Sequence, residues 1–425
     1  MHKKNLLKKM LVMGIILFLI TTIFLPAISS ENIKLINETK SLDSSTNGIW
    51  LYRFKIKINH NKVAGDLVNF PVLISFESDH LGKKAQLDGD DIVFTLSSNV
   101  ENKLNHEIEL YDSSLGKIVA WVNIPFLSSS EDTVIYMHYG NSDCGNQQNP
   151  EMVWDENYIA VYHLSGFNYL EIDDSTSNNL DVIEQQGSPV FQVSGKIGLC
   201  VDFDEASLNV DDNDLLSFTD GSNNDKPFTI EAWVKFDSAG GGDNGIISKY
   251  ANMVREWLLR KYTDDKCDLR LCDDSEEATI WRKTLSCINV NNIGWDYIAA
   301  TYSGTKSGYS INMLLDGIIN NGETWTAYNY YGMENLDEKM RIGAHHSHQN
   351  GWRYWQGLID EVRISNVVRS PEWLTTSFTT MNEPSFFITT INENVKSVDD
   401  SIPFLKIFEN HPLLFPIFKL LTQLL

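Results

Sequence analysis

Strict alternation of apolar and polar side chains is the feature that most restricts the fold of this chain. In Phe228–Phe236, Phe, Ile, Ala, Val and Phe occupy every second position, and Thr229, Glu231, Trp233 and Lys235 lie between them. An extended strand places such alternate side chains on one face, whereas an amphipathic helix needs a spacing of three to four residues. The segment is therefore predicted to be a half-buried antiparallel strand.

Shorter runs of the same kind occur on both sides of a turn-rich segment at 141–154, and no convincing helical pattern separates them. They lie at 54–58, 118–124, 134–139, 158–163, 269–271, 279–282, 296–302, 311–316, 340–344 and 358–364. Because 425 residues exceed one ordinary core, two modules are expected. The pattern predicts an all-β chain with an antiparallel β-sandwich at 49–145 and a sandwich or jelly roll at 155–380.

The first thirty residues have the layout of a secretory signal peptide. Four lysines precede an apolar run at 11–25, and Ala27 and Ser29 then occupy the positions that a cleavage site requires. We expect 1–30 to direct export, which makes the protein secreted or bound to the cell surface; an uncleaved membrane anchor is the alternative. The polar segment 31–48 is predicted to be a linker.

The end of the chain is also distinctive. A polar stretch at 381–400 is predicted to be a second linker, and a hydrophobic tail follows at 401–425. Pro403, Pro412 and Pro416 interrupt the tail, which makes it a poor membrane span. Association with a membrane surface, a sorting role and docking on a partner all remain open for it.

Charge and cysteine content exclude several classes of protein. The chain has 57 acidic and 34 basic side chains, a formal net charge of −23, which disfavours binding to nucleic acids. None of the five cysteines forms a CxxC pair, so a zinc ribbon or a thioredoxin-like site lacks support.

Two family resemblances cover most of the chain between these termini. The stretches WLYRFKIKINHNKVAGDLVNFPVLISF and LNHEIELYDSSLGKIVAWVNIPF, within 50–140, resemble the family named domain of unknown function 2341. That resemblance implies an extracytoplasmic protein of several domains and assigns no activity.

The second resemblance covers 155–380. The pieces GLCVDFDEASLNV, FTIEAWVKF, WDYIAATYSGT, INMLLDG and GLIDEVRISNVVRS occur in the order seen in laminin-G-like domains of the concanavalin A-like superfamily. The resemblance implies a two-sheet sandwich, often with a structural calcium ion, that recognises carbohydrates or proteins. The same fold hosts glycosidases, so the fold alone does not decide activity.

Catalytic carboxylates are poorly represented. The sequence Glu171-Ile172-Asp173-Asp174 begins like the E-x-D-x-x-E strand of laminarinase-like glucanases, but the final Glu is missing. Asp360 and Glu361 are adjacent, so a regular strand would point them to opposite faces. We expect a binding protein without catalysis; a polysaccharide-active hydrolase and a structural or adhesive envelope component are the alternatives.

Asp360 is the most informative carboxylate. In a regular strand it shares a face with Leu358, Val362 and Ile364, and a buried carboxylate needs hydrogen-bond donors or a cation. The resemblance places Asp174 on the segment after the first strand, near the last strand. Asp174 and Asp360 are therefore predicted to hold a structural Ca²⁺. The alternative is that backbone groups or an arginine satisfy Asp360.

Two aromatic clusters in turn-rich segments are candidate binding surfaces. The first contains Trp352, Tyr354 and Trp355, and the second contains Trp325, Tyr328 and Tyr330. Aromatic rings stack on the apolar faces of sugars, so a glycan or an extracellular protein is the expected ligand. The alternative is that these side chains pack over the end of the sandwich.

Overall fold

The fold was obtained as a computed structural model that describes residues 50–237, 242–264, 266–285, 294–326, 329–347 and 351–394. The expected signal peptide at 1–30, the linker at 31–48 and the tail at 401–425 lie outside these residues. Within them, no helix is both long and apolar enough to cross a membrane.

The described residues are mostly β-structure, with 49% strand and 11% helix, which confirms the predicted all-β class. The first strands are β1 Tyr52–Ile58, β2 Leu67–Glu77, β3 Val93–Thr95, β4 Lys103–Leu104, β5 His106–Asp112, β6 Lys117–Leu127 and β7 Thr133–Tyr139. The next are β8 Tyr158–Tyr162, β9 Glu184–Gln186, β10 Val190–Ser194, β11 Leu199–Asp204, β12 Ser207–Val210, β13 Phe228–Phe236, β14 Asn244–Ala251, β15 Val254–Lys261, β16 Cys267–Asp273 and β17 Ala278–Thr284. The remaining strands are β18 Asp296–Tyr302, β19 Ile311–Leu315, β20 Ile318–Ile319, β21 Asn321–Thr326, β22 Met340–Ile342, β23 Ala344–Ser347, β24 Gly351–Tyr354, β25 Gln356–Ser365 and β26 Ile388–Asn394.

Helices are few and short. The α-helices are α1 Asp79–Lys84, α2 Pro371–Asn382 and α3 Pro384–Phe387, and single 3₁₀ turns occur at His60–Lys62, Pro150–Met152, Tyr169–Glu171, Asp214–Leu216 and Gly308–Ser310. Helix α2 begins where the side chain of Ser370 accepts a hydrogen bond from the Trp373 backbone and Pro371 fixes the first turn.

The N-terminal module consists of two antiparallel sheets. One has the order β26-β1-β7-β3-β4 and the other has the order β2-β6-β5. The core between them is built from alternate strand residues such as Phe54, Ile56, Val72 and Ile74, all of which are buried.

Strand β26 departs from the sequence prediction, which treated 381–400 as a linker. Its residues pair with β1, with Ile56 opposite Thr390, so the chain returns to the N-terminal module after completing the second one. Buried Phe387 and Ile388 anchor this return, and the added strand satisfies the backbone groups at the edge of β1. The prediction of a linker was wrong because it relied on the polarity of the segment. A strand at the edge of a sheet buries few of its side chains, so its sequence can be polar.

The second module is a sandwich of two large sheets. One sheet has the order β10-β11-β25-β13-β18-β19-β20, with β8 also paired to β25, and is called the β13 sheet below. The other, the β15 sheet, has the order β21-β17-β16-β15-β14-β22-β12-β9. The alternate apolar residues of Phe228–Phe236 all lie in the core between the sheets, as their spacing predicts.

The opposite face of the β13 sheet is buried as well, because the N-terminal module covers it. Trp233, Tyr297 and Leu314 from this face belong to the same apolar cluster as the core of the N-terminal module. Helix α2 fills the gap, and its Trp373 packs edge-on against Phe70 with ring centroids 4.9 Å apart.

A β-bulge in β25 changes the phase of that strand. Ile364 pairs with Ile230 but Asp360 pairs with Trp233, so β25 contains one extra residue, and Glu361 has a left-handed φ of 52°. As a result Ile359, Val362 and Ile364 point into the sandwich core, and Asp360 does not share their face. The sequence prediction assumed a regular strand. It was therefore wrong to place Asp360 on the same face as Val362, and wrong to place Glu361 on the face opposite Asp360.

Candidate functional site

A cavity of about 270 Å³ opens on the surface beside the β23–β24 hairpin. Its lining residues come from this hairpin and from two neighbouring loops: Glu205, Gly242, Asp243, Asn244, Trp352, Arg353, Tyr354 and Gln356. This volume lies near the lower end of the range of about 300–1,000 Å³ that is typical of small-molecule sites.

The aromatic wall of the cavity is formed by Trp352 and Tyr354. They are two residues apart on β24, so they share one face of the strand. Their rings are stacked, with centroids 6.2 Å apart and an angle of 24° between the ring planes. His346, opposite Trp352 in the hairpin, meets its ring edge-on at 4.9 Å, and the Arg341 guanidinium lies 4.8 Å from its centroid. These contacts hold the indole in a fixed orientation.

The polar wall is equally well ordered. Asn244 donates from Nδ2 to the backbone oxygen of Tyr354 at 2.6 Å, whereas its buried Oδ1 has no hydrogen-bond partner among the described residues. Asp243 accepts hydrogen bonds from Arg260 Nη1 at 2.7 and 2.6 Å. Burial alone would raise the pKa of Asp243, but the hydrogen bond from His345 and the charge of Arg260 lower it to about 2.

Tyr354 stays a neutral phenol over a wide pH range, because burial and then the negative charge of Glu205 raise its pKa. The cavity therefore presents a flat aromatic face next to an ionised carboxylate and the Arg353 side chain. Such a set suits a small polar ring that has one apolar face.

The other predicted aromatic residues do not join this cavity. Trp355 is fully buried against Phe236, and Tyr330 is 6% exposed and donates its hydroxyl to Asp225 at 2.7 Å. Both are packing residues, which corrects the prediction of a ligand-contacting role. Trp325 is exposed on β21 opposite Trp281, and Tyr328 lies outside the described residues.

The structure does not support the predicted calcium pair either. The carboxylate of Asp174 is buried and accepts four hydrogen bonds of 2.8–3.0 Å, from the backbone N–H groups of Val161, Thr176 and Leu180 and from the Thr176 hydroxyl. Asp360 accepts from the Ile197 backbone at 3.0 Å and shares no such donor with Asp174. Asp174 therefore stabilises its own loop by accepting hydrogen bonds from the backbone. The sequence analysis gave this kind of role, without a cation, as the alternative for Asp360.

A different group of charged side chains converges where the N-terminal module meets the β13 sheet. His163 Nδ1 lies 2.6 Å from Glu361 Oε1 and 3.6 Å from Glu109 Oε2, and His163 Nε2 lies 3.4 Å from Glu107 Oε2. Burial and then the charge of Glu361 raise the pKa of Glu109 to about 8. Although burial opposes it, the charges of Glu361 and Glu107 hold the pKa of His163 well above its usual value.

Comparison with known families agrees with this architecture. The model of the family described as domain of unknown function (DUF2341) matches residues 88–181, and that of the concanavalin A-like lectin/glucanases superfamily matches residues 210–375. The chain carries a DUF2341 domain followed by a concanavalin A-like lectin/glucanase domain. Both predicted resemblances are thereby confirmed. The DUF2341 match extends over β8, which is paired with β25 of the lectin/glucanase domain.

The solved structures that are similar to this chain are distant from it. The binding domain of Paraclostridial Mosquitocidal Protein 1 has 14% identity and a TM-score of 0.41, and the match covers 52% of each chain. Domain 4 of AbnA, an extracellular arabinanase from Geobacillus stearothermophilus solved with arabinotriose, has 14% identity and a TM-score of 0.37, over 52% of this chain and 98% of that one. The botulinum neurotoxin serotype D ligand binding domain, solved with N-acetylneuraminic acid, has 12% identity and a TM-score of 0.37, over 52% and 50%.

For the first and third of these structures, the chain spans about half of their length. A search of curated proteins gave no match.

Several residues of these sites were not singled out from the sequence. Asp243 and Asn244 are separated from Trp352 by about a hundred residues, so only the pairing of the sheet brings them together. The spacing of Glu107 and Glu109 did not give a dependable signal, because the register of β5 shifts between Ile108 and Leu110 and the period of two fails at Glu109. His163 directly follows the strand Tyr158–Tyr162, which places it beside β25.

We expect Asp174→Ala to destabilise the protein by roughly 3 kcal/mol, because it leaves three buried backbone donors unpaired. Urea denaturation of the full chain measures the change. Asp173→Ala is the matched control, since this neighbouring carboxylate is exposed, and it should stay within about 0.5 kcal/mol of the parent. A Ca²⁺-dependent rise in melting temperature that disappears in Asp174→Ala would contradict the structural role.

Proposed function

We propose that this chain is an exported, non-catalytic glycan-recognition protein that binds a sugar residue in the cavity beside the β23–β24 hairpin. The observation that carries the proposal is the stacked pair of Trp352 and Tyr354, which lines the same cavity as Asp243 and Arg353. A pyranose ring offers C–H groups to an aromatic face and hydroxyl groups to acceptors and donors at its rim. The lectin/glucanase domain and the export pattern at 1–30 are consistent with this role.

The non-catalytic part of the proposal is supported by the surroundings of Asp243, one of the two acids that line the cavity. Glycoside hydrolysis requires one carboxyl group that is protonated and a second one that is ionised. Asp243 is paired with Arg260, and the hydrogen bond from His345 and the charge of Arg260 lower its pKa, which makes it poorly suited to donate a proton. We therefore expect polysaccharides incubated with the protein to release no new reducing ends.

We expect Trp352→Ala to reduce glycan affinity by about tenfold or more, since removing an aromatic platform costs about 1–1.5 kcal/mol beyond the lost area. Glycan-array screening of the full chain identifies a ligand, and isothermal titration with that ligand measures the change. Trp325→Ala is the matched control, because Trp325 is exposed outside the cavity.

The melting temperature of each variant separates loss of binding from loss of folding. Equal affinity of Trp352→Ala and the parent chain for every glycan detected would overturn the assignment of the cavity. If no glycan on the array binds and the chain binds an extracellular protein instead, the ligand class is a protein and not a glycan.

A further inference from the structure

Two β-bulges direct carboxylates into the contact between the DUF2341 domain and the β13 sheet. In β5 the register shifts between Ile108 and Leu110, so Glu109 is the extra residue, and in β25 the bulge occurs at Glu361. Bulges re-aim side chains and are found more often than average next to functional sites. Here they bring one acid from each domain to the same imidazole, that of His163.

The three side chains form a donor set suited to a metal ion. One ligand atom from each of Glu109, His163 and Glu361 lies within 4.8 Å of the others, and the two carboxylate side chains are completely buried. Ligand atoms around a tetrahedral ion with bonds of about 2.0–2.2 Å lie roughly 3.4 Å apart, close to the present separation of His163 Nδ1 and Glu109 Oε2.

Neighbouring groups orient the two acids. Trp121 donates from Nε1 to Glu109 Oε2 at 3.0 Å, and Arg363 donates from Nη2 to Glu361 Oε2 at 2.6 Å. The indole of Trp121 is nearly parallel to the imidazole of His163: the ring centroids are 5.9 Å apart and the ring planes differ by 16°. Such outer contacts fix ligand orientation in metal sites.

Buried charge and unpaired polar atoms give independent support. Four acidic side chains, those of Glu107, Glu109, Asp360 and Glu361, lie near three cationic side chains: His163, Arg363 and, on the Asp360 side, Lys196. Glu109 Oε1 and Asp360 Oδ1 are buried and have no hydrogen-bond partner among the described residues. An excess of buried negative charge is costly unless a cation or protons compensate it.

The carboxylates are closed in by the turn between β10 and β11. A Cβ atom on Gly198 would lie 2.4 Å from Glu109 Oε1, and one on Gly195 would lie 2.6 Å from Asp360 Oδ2. The chain therefore passes directly over both acids at positions where only glycine fits, which encloses the site and keeps bulk water out.

We propose that Glu109, His163 and Glu361 bind a divalent transition-metal ion of the Zn²⁺ type that joins the DUF2341 domain to the lectin/glucanase domain. An imidazole with two carboxylates favours such an ion over Ca²⁺, which takes oxygen ligands only. Binding displaces the proton between His163 Nδ1 and Glu361, and the ion takes its place. The site is separate from the glycan cavity and does not depend on its function.

The test uses the full chain, stripped with a chelator during unfolding and refolded with Zn²⁺, Mn²⁺, Ca²⁺ or no metal. We expect about one Zn²⁺ per chain by mass spectrometry and a melting temperature several degrees higher than that of the metal-free protein, with little effect of Ca²⁺. Refolding with Co²⁺ should give the visible absorption of a nitrogen- and oxygen-ligated ion, a readout that needs no variant.

Glu109→Gln is the decisive substitution, since glutamine keeps an acceptor for Trp121 but is a poor ligand. It should lose both the bound metal and the metal-induced rise in melting temperature. The matched control is Glu231→Gln, which changes another fully buried acid of the β13 sheet that hydrogen-bonds to Tyr297.

The proposal would be overturned if no metal is bound and if neither Zn²⁺ nor Mn²⁺ changes the melting temperature. Protons would then be the charge that compensates the buried acids. Equal loss of metal in both variants would overturn the assignment of the ligands.

Discussion

A fragment of residues 155–380, the lectin/glucanase domain with the boundaries that the sequence suggests, will not form a soluble folded monomer. Its β13 sheet would expose Trp233, Tyr297 and Leu314, which are at most 2% exposed in the whole chain. Burial of each large apolar side chain contributes about 1.5–3 kcal/mol, and a folded domain is stable by only about 5–15 kcal/mol. Losing the N-terminal cover therefore removes most of the available stability.

The same fragment also loses charge partners. Glu361 and Arg363 would still pair with each other, but His163 would lose Glu107 and Glu109. Tyr158 and Val161 of β8 would lose the apolar residues of the N-terminal module that cover them. Expression followed by size-exclusion chromatography and thermal unfolding tests the expectation, with residues 50–394 as the matched control. A monomeric 155–380 fragment with a cooperative transition would show that the two domains are independent.

The limits of the sequence predictions have a common physical cause. Alternation identified β13 correctly, because its inward residues obey period two, and the ordered short pieces identified the sandwich. The pattern could not show that Glu231 and Trp233 on the other face are also buried, because burial there depends on a second domain. Nor could it show the bulge at Glu361, since one inserted residue leaves no mark on composition.

The candidate site was also predicted only in part from the sequence. Trp352 and Tyr354 were found because their loop is rich in aromatic and turn residues, yet Trp355 in the same run points into the core. Neighbouring residues on a strand face opposite ways, so a cluster in sequence is split by the sheet. The polar half of the cavity comes from segments near Glu205 and Asp243, which only the strand order places beside the hairpin.

We expect Arg363→Met to cost about 3–5 kcal/mol of unfolding free energy, measured by urea denaturation with a chelator present. Arg363 is 1% exposed, donates to Glu361 at 2.6 Å and lies 4.3 Å from the ring centroid of Trp121 and 5.0 Å from that of Trp154. Methionine fills part of the volume but leaves the Glu361 carboxylate buried beside Glu107, Glu109 and Asp360 with one cation fewer. The penalty arises from that unpaired charge more than from lost packing.

Arg53→Met is the matched control, because Arg53 also pairs with a glutamate, Glu393, at 2.8 Å and lies 5.4 Å from the ring centroid of Tyr136. Its side chain is 24% exposed and that of Glu393 is 32% exposed, so water screens the pair and the cost should not exceed about 1 kcal/mol. Adding Glu361→Gln to Arg363→Met should recover part of the loss, since it removes the stranded charge. If the two arginine variants are equally stable, the charges between the two domains do not contribute to holding them together.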